Sequence, residues 1–226
     1  AGCLRFSANP GSHMPIPSSP LKRLLNTAAL VGTVCLGHHT LAQANAAVGQ
    51  PAPAFTATDT SGKTVRLADF KGKTVVLEWV NPGCPFVRKH YDSGNMQGTQ
   101  QGASDQKVVW LAINSTHDES ADHKTPAAMA QWMSEHKAAT TATLMDTEGH
   151  IGRAYGARTT PQMFIVNGAG TLVYAGAIDS KATARTADIA TATNHVKAAL
   201  AELSQGKPVS VPLTQPYGCS VKYKVS

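Results

Sequence analysis

The stretch VVLEWVNPGCPFVRKHY, residues 75–91, decides how this chain is read. Its first six residues form an apolar run interrupted only by Glu78, the pattern of a strand buried on both faces. Asn81-Pro82-Gly83 breaks the run, and Cys84-Pro85 opens a helix, because proline suits the first helical position. The Cys84 sulfur would then face unpaired backbone N–H groups, whose dipole favours the thiolate, the nucleophilic form of cysteine. The competing reading is an inert, packed cysteine. A strand-to-helix turn before proline is a poor place to hide a thiol, so the reactive reading is preferred.

On the N-terminal side, VGQPAPAFTATDTSGKTVRLADFKGK (48–73) alternates short β-prone runs with turn signals at Ser61-Gly62 and Lys71-Gly72-Lys73, which predicts a hairpin before the core sheet. On the C-terminal side, VVWLAIN (108–114) is a second buried strand. Thr125-Pro126 then starts a helix as N-cap and first position, running through AAMAQWMSEHKA. Strands alternating with helices imply parallel crossovers. A short strand at ATLMD (142–146), a helix through Ile151 and Tyr155, and the hairpin QMFIVNGAGTLVYAG (162–176) follow. The last helix is expected to carry Ile189, Ala192, Val196, Ala199 and Leu203 on one face and to stop near Gly206. Prolines exclude a helix beyond it, and Val209, Val211 and Leu213 alternate as in an extended tail with one apolar side.

The 226 residues are 42% apolar and 15% charged, enough for one sizeable core. Gly11-Ser12-His13-Met14 reads as the scar of a cleavable tag, so residues 1–13, with Cys3, are set aside. From Met14 the chain reads as a secretory signal. Lys22 and Arg23 close a basic front, LLNTAALVGTVCLG is apolar but too short to span a bilayer, and Ala42-Gln43-Ala44 is a cleavage site, with the cut expected after Ala44. Lipid anchoring through Cys35 is disfavoured by Val34, where such signals want Gly or Ala. Export to the periplasm without stable membrane insertion is therefore expected. Residues 1–44 contain Arg5, Lys22 and Arg23 and no acid, so their loss lowers the formal charge from +6 to +3. With no basic cluster interleaved with aromatics, nucleic acid is not an expected partner. Only Cys84 and Cys219 survive processing, and an oxidising compartment permits them to pair.

Four stretches together resemble the thioredoxin-fold, peroxiredoxin-like branch of the AhpC/TSA superfamily, over about residues 48–180. These are GQPAPAF, the strand-turn-helix around Cys84, YGARTTPQMFIVNGAGTLVY, and the tail PYGCSVKY. The resemblance implies an α/β, thioredoxin-like fold with a central mixed β-sheet flanked by helices, an N-terminal β-hairpin extension and an extended C-terminal tail. Residues 45–205 would be the domain and 206–226 the tail. It also implies that Glu78, six residues before Cys84, is the family's buried acid, either relaying protons or serving structurally. Thr160-Pro161 matches the cis-proline loop, which packs on the active cysteine and presents backbone to an incoming peptide or thiol. Arg158 could reach Cys84 and favour its anion, or be a surface arginine. Asn81 and Pro85, flanking Cys84, complete the expected substrate side.

Two departures limit the transfer of mechanism. Peroxiredoxins show Pro-x-x-x-Thr-x-x-Cys, whereas Leu77 and Asn81 stand in the first two of those positions, so the peroxide-binding hydroxyl is missing. Thioredoxins show Cys-x-x-Cys, whereas Val87 takes the second position. The internal partner left for Cys84 is Cys219. An extended chain of about fourteen residues spans roughly 45 Å, about a domain diameter, so the tail can reach back. The pair could be a reversible couple with Cys219 resolving, or a permanent staple adding about 5 kcal/mol. A helix N-terminal thiolate is a good leaving group, which favours the couple.

The expected function is thus an exported thiol–disulfide oxidoreductase with no cofactor. Its partner would be a protein or small-molecule thiol or disulfide, and its electron donor is not specified by the sequence. A thiol-dependent peroxidase is one alternative. A non-catalytic module holding a client, or a metal with His90 and His117, is the other, although no metal-ligand spacing supports it and no metal residues are assigned. In the oxidised form residues 217–226 are expected to lock onto the Cys84 turn, and reduction is expected to free them.

Overall fold

In the computed structural model, which describes residues 46–224, the expected hairpin forms from β1 (Thr56–Asp59) and β2 (Thr64–Arg66). Asp59 Oδ1 closes its turn by accepting from the N–H groups of Ser61 and Lys63 at 2.8 and 2.9 Å, while Gly62 takes a φ of +88°. The expected leader, its cleavage site and Cys35 lie outside the described residues.

The chain then runs through β3 (Val75–Trp79), α1 (Pro85–Asp92), α2 (Asn95–Asp105), β4 (Val109–Asn114), α3 (Pro126–Glu135), β5 (Ala142–Met145), α4 (His150–Tyr155), β6 (Thr159–Thr160), β7 (Gln162–Val166), β8 (Leu172–Gly176), α5 (His195–Ser204) and β9 (Cys219–Ser220). Seven strands form one mixed sheet in the order β2-β1-β5-β4-β3-β7-β8. β3, β4 and β5 are parallel, joined by helical crossovers, and β1, β7 and β8 pair antiparallel to their neighbours. Helices cover the central strands, so β3 and β4 are buried along their whole length and their side chains alternate between two cores. Val75, Leu77 and Trp79 pack with Tyr155 and Phe164 on one face. Val76 and Val80 pack with Cys84, Val87, Tyr91 and Met163 on the other, and Glu78 projects to that same side.

Three elements differ from the sequence expectation. Helix α2 has no strong sequence signal, since NMQGTQQGASD carries two glycines and too few apolar residues to mark a buried face. It forms because Met96, Gln100 and Ala103 are buried against the sheet, packing that outweighs local propensity. The last helix is shorter than expected. The Asn194 side chain accepts from the Lys197 N–H at 2.9 Å and starts α5 at His195, leaving Ile189 in a separate 3-10 turn and Ala192 extended. The tail does not dock by an apolar strip either: Val209 is half-buried, but Val211 and Leu213 are 51% and 64% exposed. It binds through polar groups instead. Ala175 N–H donates to Pro212 O at 3.0 Å, and Thr214 Oγ1 accepts from Ala177 N–H at 2.9 Å. Gly176 permits this approach, since a Cβ there would stand 2.7 and 2.8 Å from the Thr214 O and N atoms.

Among the described residues, no helix is long and apolar enough to cross a membrane.

Candidate active site

Cys84 is the N-cap of α1, with φ −82° and ψ 121°, and Pro85 follows at the first helical position with its ring exposed. The turn that presents the cysteine is built by Asn81. Its carbonyl accepts from Cys84 N–H at 3.0 Å, and its Oδ1 accepts from Gly83 N–H at 2.8 Å. Its Nδ2 donates to Asp122 Oδ2 at 3.4 Å and to Thr116 Oγ1 at 3.5 Å. Asn81 is buried and its polar atoms are committed to the loop, so it shapes the turn rather than facing a substrate, which corrects the sequence reading.

The Cys84 thiol is 1% exposed and donates to the Thr160 carbonyl at 3.0 Å. The Thr160-Pro161 peptide bond is cis. β9 pairs antiparallel with β6, placing Cys219 opposite Thr160 and Ser220 opposite Thr159. Gly218, at φ +131°, makes the turn into this pairing, and a Cβ on it would overlap the Thr160 carbonyl. Both cysteines are free thiols, and they meet at Thr160: Cys84 Sγ contacts its carbonyl while Cys219 pairs with it across β6–β9 and packs against the cluster that holds Cys84. Burial pushes the Cys219 pKa up, and the neighbouring Cys84 acts in the same direction against the opposing pull of Lys222. Cys219 is thus held as a thiol beside Cys84.

Arg158 is not brought to the sulfur. Its side chain is exposed and has no hydrogen bond or ion pair among the described residues, while its carbonyl accepts from Val221 N–H at 3.0 Å. Its backbone, not its guanidinium, serves the site.

Glu78 lies fully buried on the Cys84 face of β3. Tyr91 OH donates to its Oε1 at 2.9 Å, and Trp110 Nε1 and Gln100 Nε2 donate to its Oε2 at 2.7 and 3.1 Å. Burial raises its pKa from 4.5 to about 7, against the pull of these three donors. Between those values the folded state keeps a proton that the unfolded chain releases. Stability is therefore full below pH 4.5 and falls as pH rises to 7, by about 3 kcal/mol in all. Glu78→Gln should lose that slope. Urea unfolding at pH 5 and pH 8 is expected to show a loss about 2–3 kcal/mol smaller in the variant than in the parent chain; equal losses would contradict the titration.

The sequence reading missed what fixes the tail. Upstream of Cys219, Tyr217 enters a buried charged cluster and donates to Asp179 Oδ1. Lys89 Nζ, on α1, pairs with Asp179 Oδ2 at 3.2 Å, donates to Lys181 O at 2.8 Å, and lies 5.4 Å from the Tyr217 ring centre. His90 Nε2 lies 3.2 Å from the Tyr217 hydroxyl. Burial pushes the His90 pKa down, outweighing the raising effect of Asp179, and the Lys89 charge adds to the fall, so the ring is neutral at physiological pH. Downstream, Tyr223 OH donates to Ala157 O at 2.7 Å and Arg153 lies 4.8 Å from its ring centre. The Tyr223 ring occupies a notch that a Cβ on Gly149 or Gly152 would fill. Neither anchor involves a sulfur. Both anchors therefore hold the tail without a bond between the two cysteines. A single buried lysine among the apolar positions of α1 was the available signal, but its partners come from segments far apart in sequence.

Among the described residues, no three His, Cys, Asp or Glu side chains converge as a metal site would require.

A mixed sheet of this order, a cysteine capping the first helix after its central strand, and a cis-proline bond against the sulfur define a thioredoxin-fold thiol protein. The chain belongs to the AhpC/TSA family, whose model matches residues 48–175. Over 133 residues, 56% of this chain and 67% of the relative, it is 26% identical to a protein named thiol-disulfide oxidoreductase ResA from Bacillus thuringiensis subsp. konkukian. Among solved structures, an uncharacterized conserved protein from Geobacillus kaustophilus superposes with a TM-score of 0.66 at 28% identity, covering 80% of this chain and 94% of that one. A hypothetical protein from Sinorhizobium meliloti 1021 gives a TM-score of 0.68 at 22% identity, covering 80% and 96%, a likeness of fold.

Proposed function

We propose that this chain is an exported thiol–disulfide oxidoreductase in which Cys84 attacks and Cys219 resolves. The observation that carries the reading is the convergence of both cysteines on Thr160, whose carbonyl accepts from Cys84 Sγ at 3.0 Å and which pairs with Cys219 across β6–β9. The name of the Bacillus relative supports the same chemistry, and the secretory pattern of residues 14–44 supports export.

In the reducing direction, the Cys84 thiolate attacks one sulfur of a substrate disulfide. The S–S bond breaks and the departing thiolate takes up a proton. Cys219 then loses its proton and attacks Cys84 Sγ, expelling the second thiolate, which is protonated in turn. Two electrons pass to the substrate, leaving a Cys84–Cys219 disulfide. Cys84 opens α1 as its N-cap, and the raised pKa of Cys219 keeps the resolving group protonated until the mixed disulfide forms. Glu78, titrating near neutrality on the same face of β3, is assigned the exchange of protons with the site.

Turnover of a disulfide with a dithiol reductant tests this reading against the peroxidase. Disulfide should be consumed and hydrogen peroxide left largely untouched, because Asn81 stands where the peroxide-binding threonine would be. Faster consumption of peroxide would reverse the assignment.

A further inference from the structure

A strand with unpaired N–H and C=O groups is a template for another strand, and extended polypeptides are commonly bound that way. The short strand nearest the Cys84 sulfur is β6, and its edge is already taken by the chain itself. Thr159 pairs with Ser220, Thr160 pairs with Cys219, and the preceding carbonyl of Arg158 accepts from Val221 N–H at 3.0 Å. Next along the tail, the Lys222 carbonyl accepts from His117 N–H at 2.9 Å, tying the segment to the loop after β4 as well. Residues 218–222 therefore run between two parts of the domain rather than along an open margin. Both ends are pinned independently of the sulfurs, by Tyr217 in the Asp179–Lys89 cluster and by Tyr223 against Gly149 and Gly152.

We infer that the disulfide exchanging with this site is a low-molecular-mass compound, and not a polypeptide laid along the cis-proline loop, because residues 218–222 fill the place that polypeptide would need. The inference rests on the thiol–disulfide reading above. To meet the buried Cys84 sulfur, a small disulfide needs only a local opening beside the partly exposed Cys219. A strand-like client would have to break the β6–β9 pairing and release a tyrosine anchor together, a sub-global opening. The exchange is balanced: R–S–S–R accepts two electrons from Cys84 and Cys219 and leaves as two R–SH, as the Cys84–Cys219 bond forms.

The test uses the reduced full-length chain carrying Cys3→Ser and Cys35→Ser, so that only Cys84 and Cys219 can exchange, with two probes, hydroxyethyl disulfide and the disulfide-linked dimer of an unstructured peptide. Each rate is divided by that of the same probe with dithiothreitol, which removes its intrinsic reactivity. The small probe should be favoured by at least about tenfold, since only a minor open population admits the peptide. Tyr223→Ala, which loosens one anchor and touches neither sulfur, should raise the peptide rate by about tenfold and change the small-probe rate much less. Equal normalised rates in the parent chain, or a preference for the peptide, would overturn the inference. A preference that Tyr223→Ala does not narrow would remove the tail as its cause and overturn it too. Failure of both probes to react would instead defeat the thiol–disulfide reading itself, and the inference with it.

Discussion

Cys84→Ser is expected to abolish disulfide exchange, lowering its rate by at least about a thousandfold, because an alcohol at the helix start is not ionised near neutral pH and is a poor nucleophile toward sulfur. Cys219→Ser should fail differently. Its Cys84 can still attack, so the variant should accumulate one stable mixed disulfide with the substrate and lose turnover, whereas Cys84→Ser should capture nothing at a comparable rate. Intact mass after reaction with a small disulfide separates the two outcomes. Adduct formation at equal rates in both variants would mean that Cys219 attacks as readily as Cys84. That outcome would contradict the roles drawn from the N-cap position of one cysteine and the raised pKa of the other.

The second large effect is expected at Asp179. Its carboxylate is buried with Lys89, which is also buried, and it accepts from the Tyr217 hydroxyl. Asp179→Ala would strand the lysine charge in the interior, a change that costs about 3–5 kcal/mol when one partner of a buried pair is removed. It should also release the tail ahead of Cys219. Urea unfolding would report the first effect, and hydrogen exchange would report the second as lost protection at residues 219–222. A loss below about 1 kcal/mol would show that the cluster is solvated and does not anchor the tail.

What could be read in the sequence follows from how local each signal is. The hairpin at Ser61-Gly62, the buried strands at 75–79 and 109–114, the Thr125-Pro126 helix start and the Cys84-Pro85 cap all depend on neighbouring residues, and all are found where local chemistry puts them. Helix α2 was invisible because Met96 and Gln100 are held by the sheet rather than by helix propensity. The start of α5 was misplaced because the apolar spacing ran through Ile189 and Ala192, whereas the Asn194 side chain sets the boundary.

The site divides in the same way. Cys84, Cys219, Thr160 and Pro161 carry motif signals, and the fold brings them together. Asn81 and Arg158 were given substrate or charge roles from proximity in sequence alone. One spends its polar atoms on the turn, and the other points into solvent. The three donors on Glu78 come from α1, α2 and β4, and the Tyr217 cluster joins α1, the segment after β8 and the tail. No spacing rule within one element encodes either convergence.

The most direct test of the account is the redox titration of the chain carrying Cys3→Ser and Cys35→Ser in glutathione buffers, read by mass spectrometry after alkylation. The account predicts one Cys84–Cys219 disulfide that opens and closes reversibly, with a reduction potential less negative than about −300 mV. Two alkylatable thiols that persist under oxidising conditions would contradict it, as would a bridge that glutathione cannot reduce.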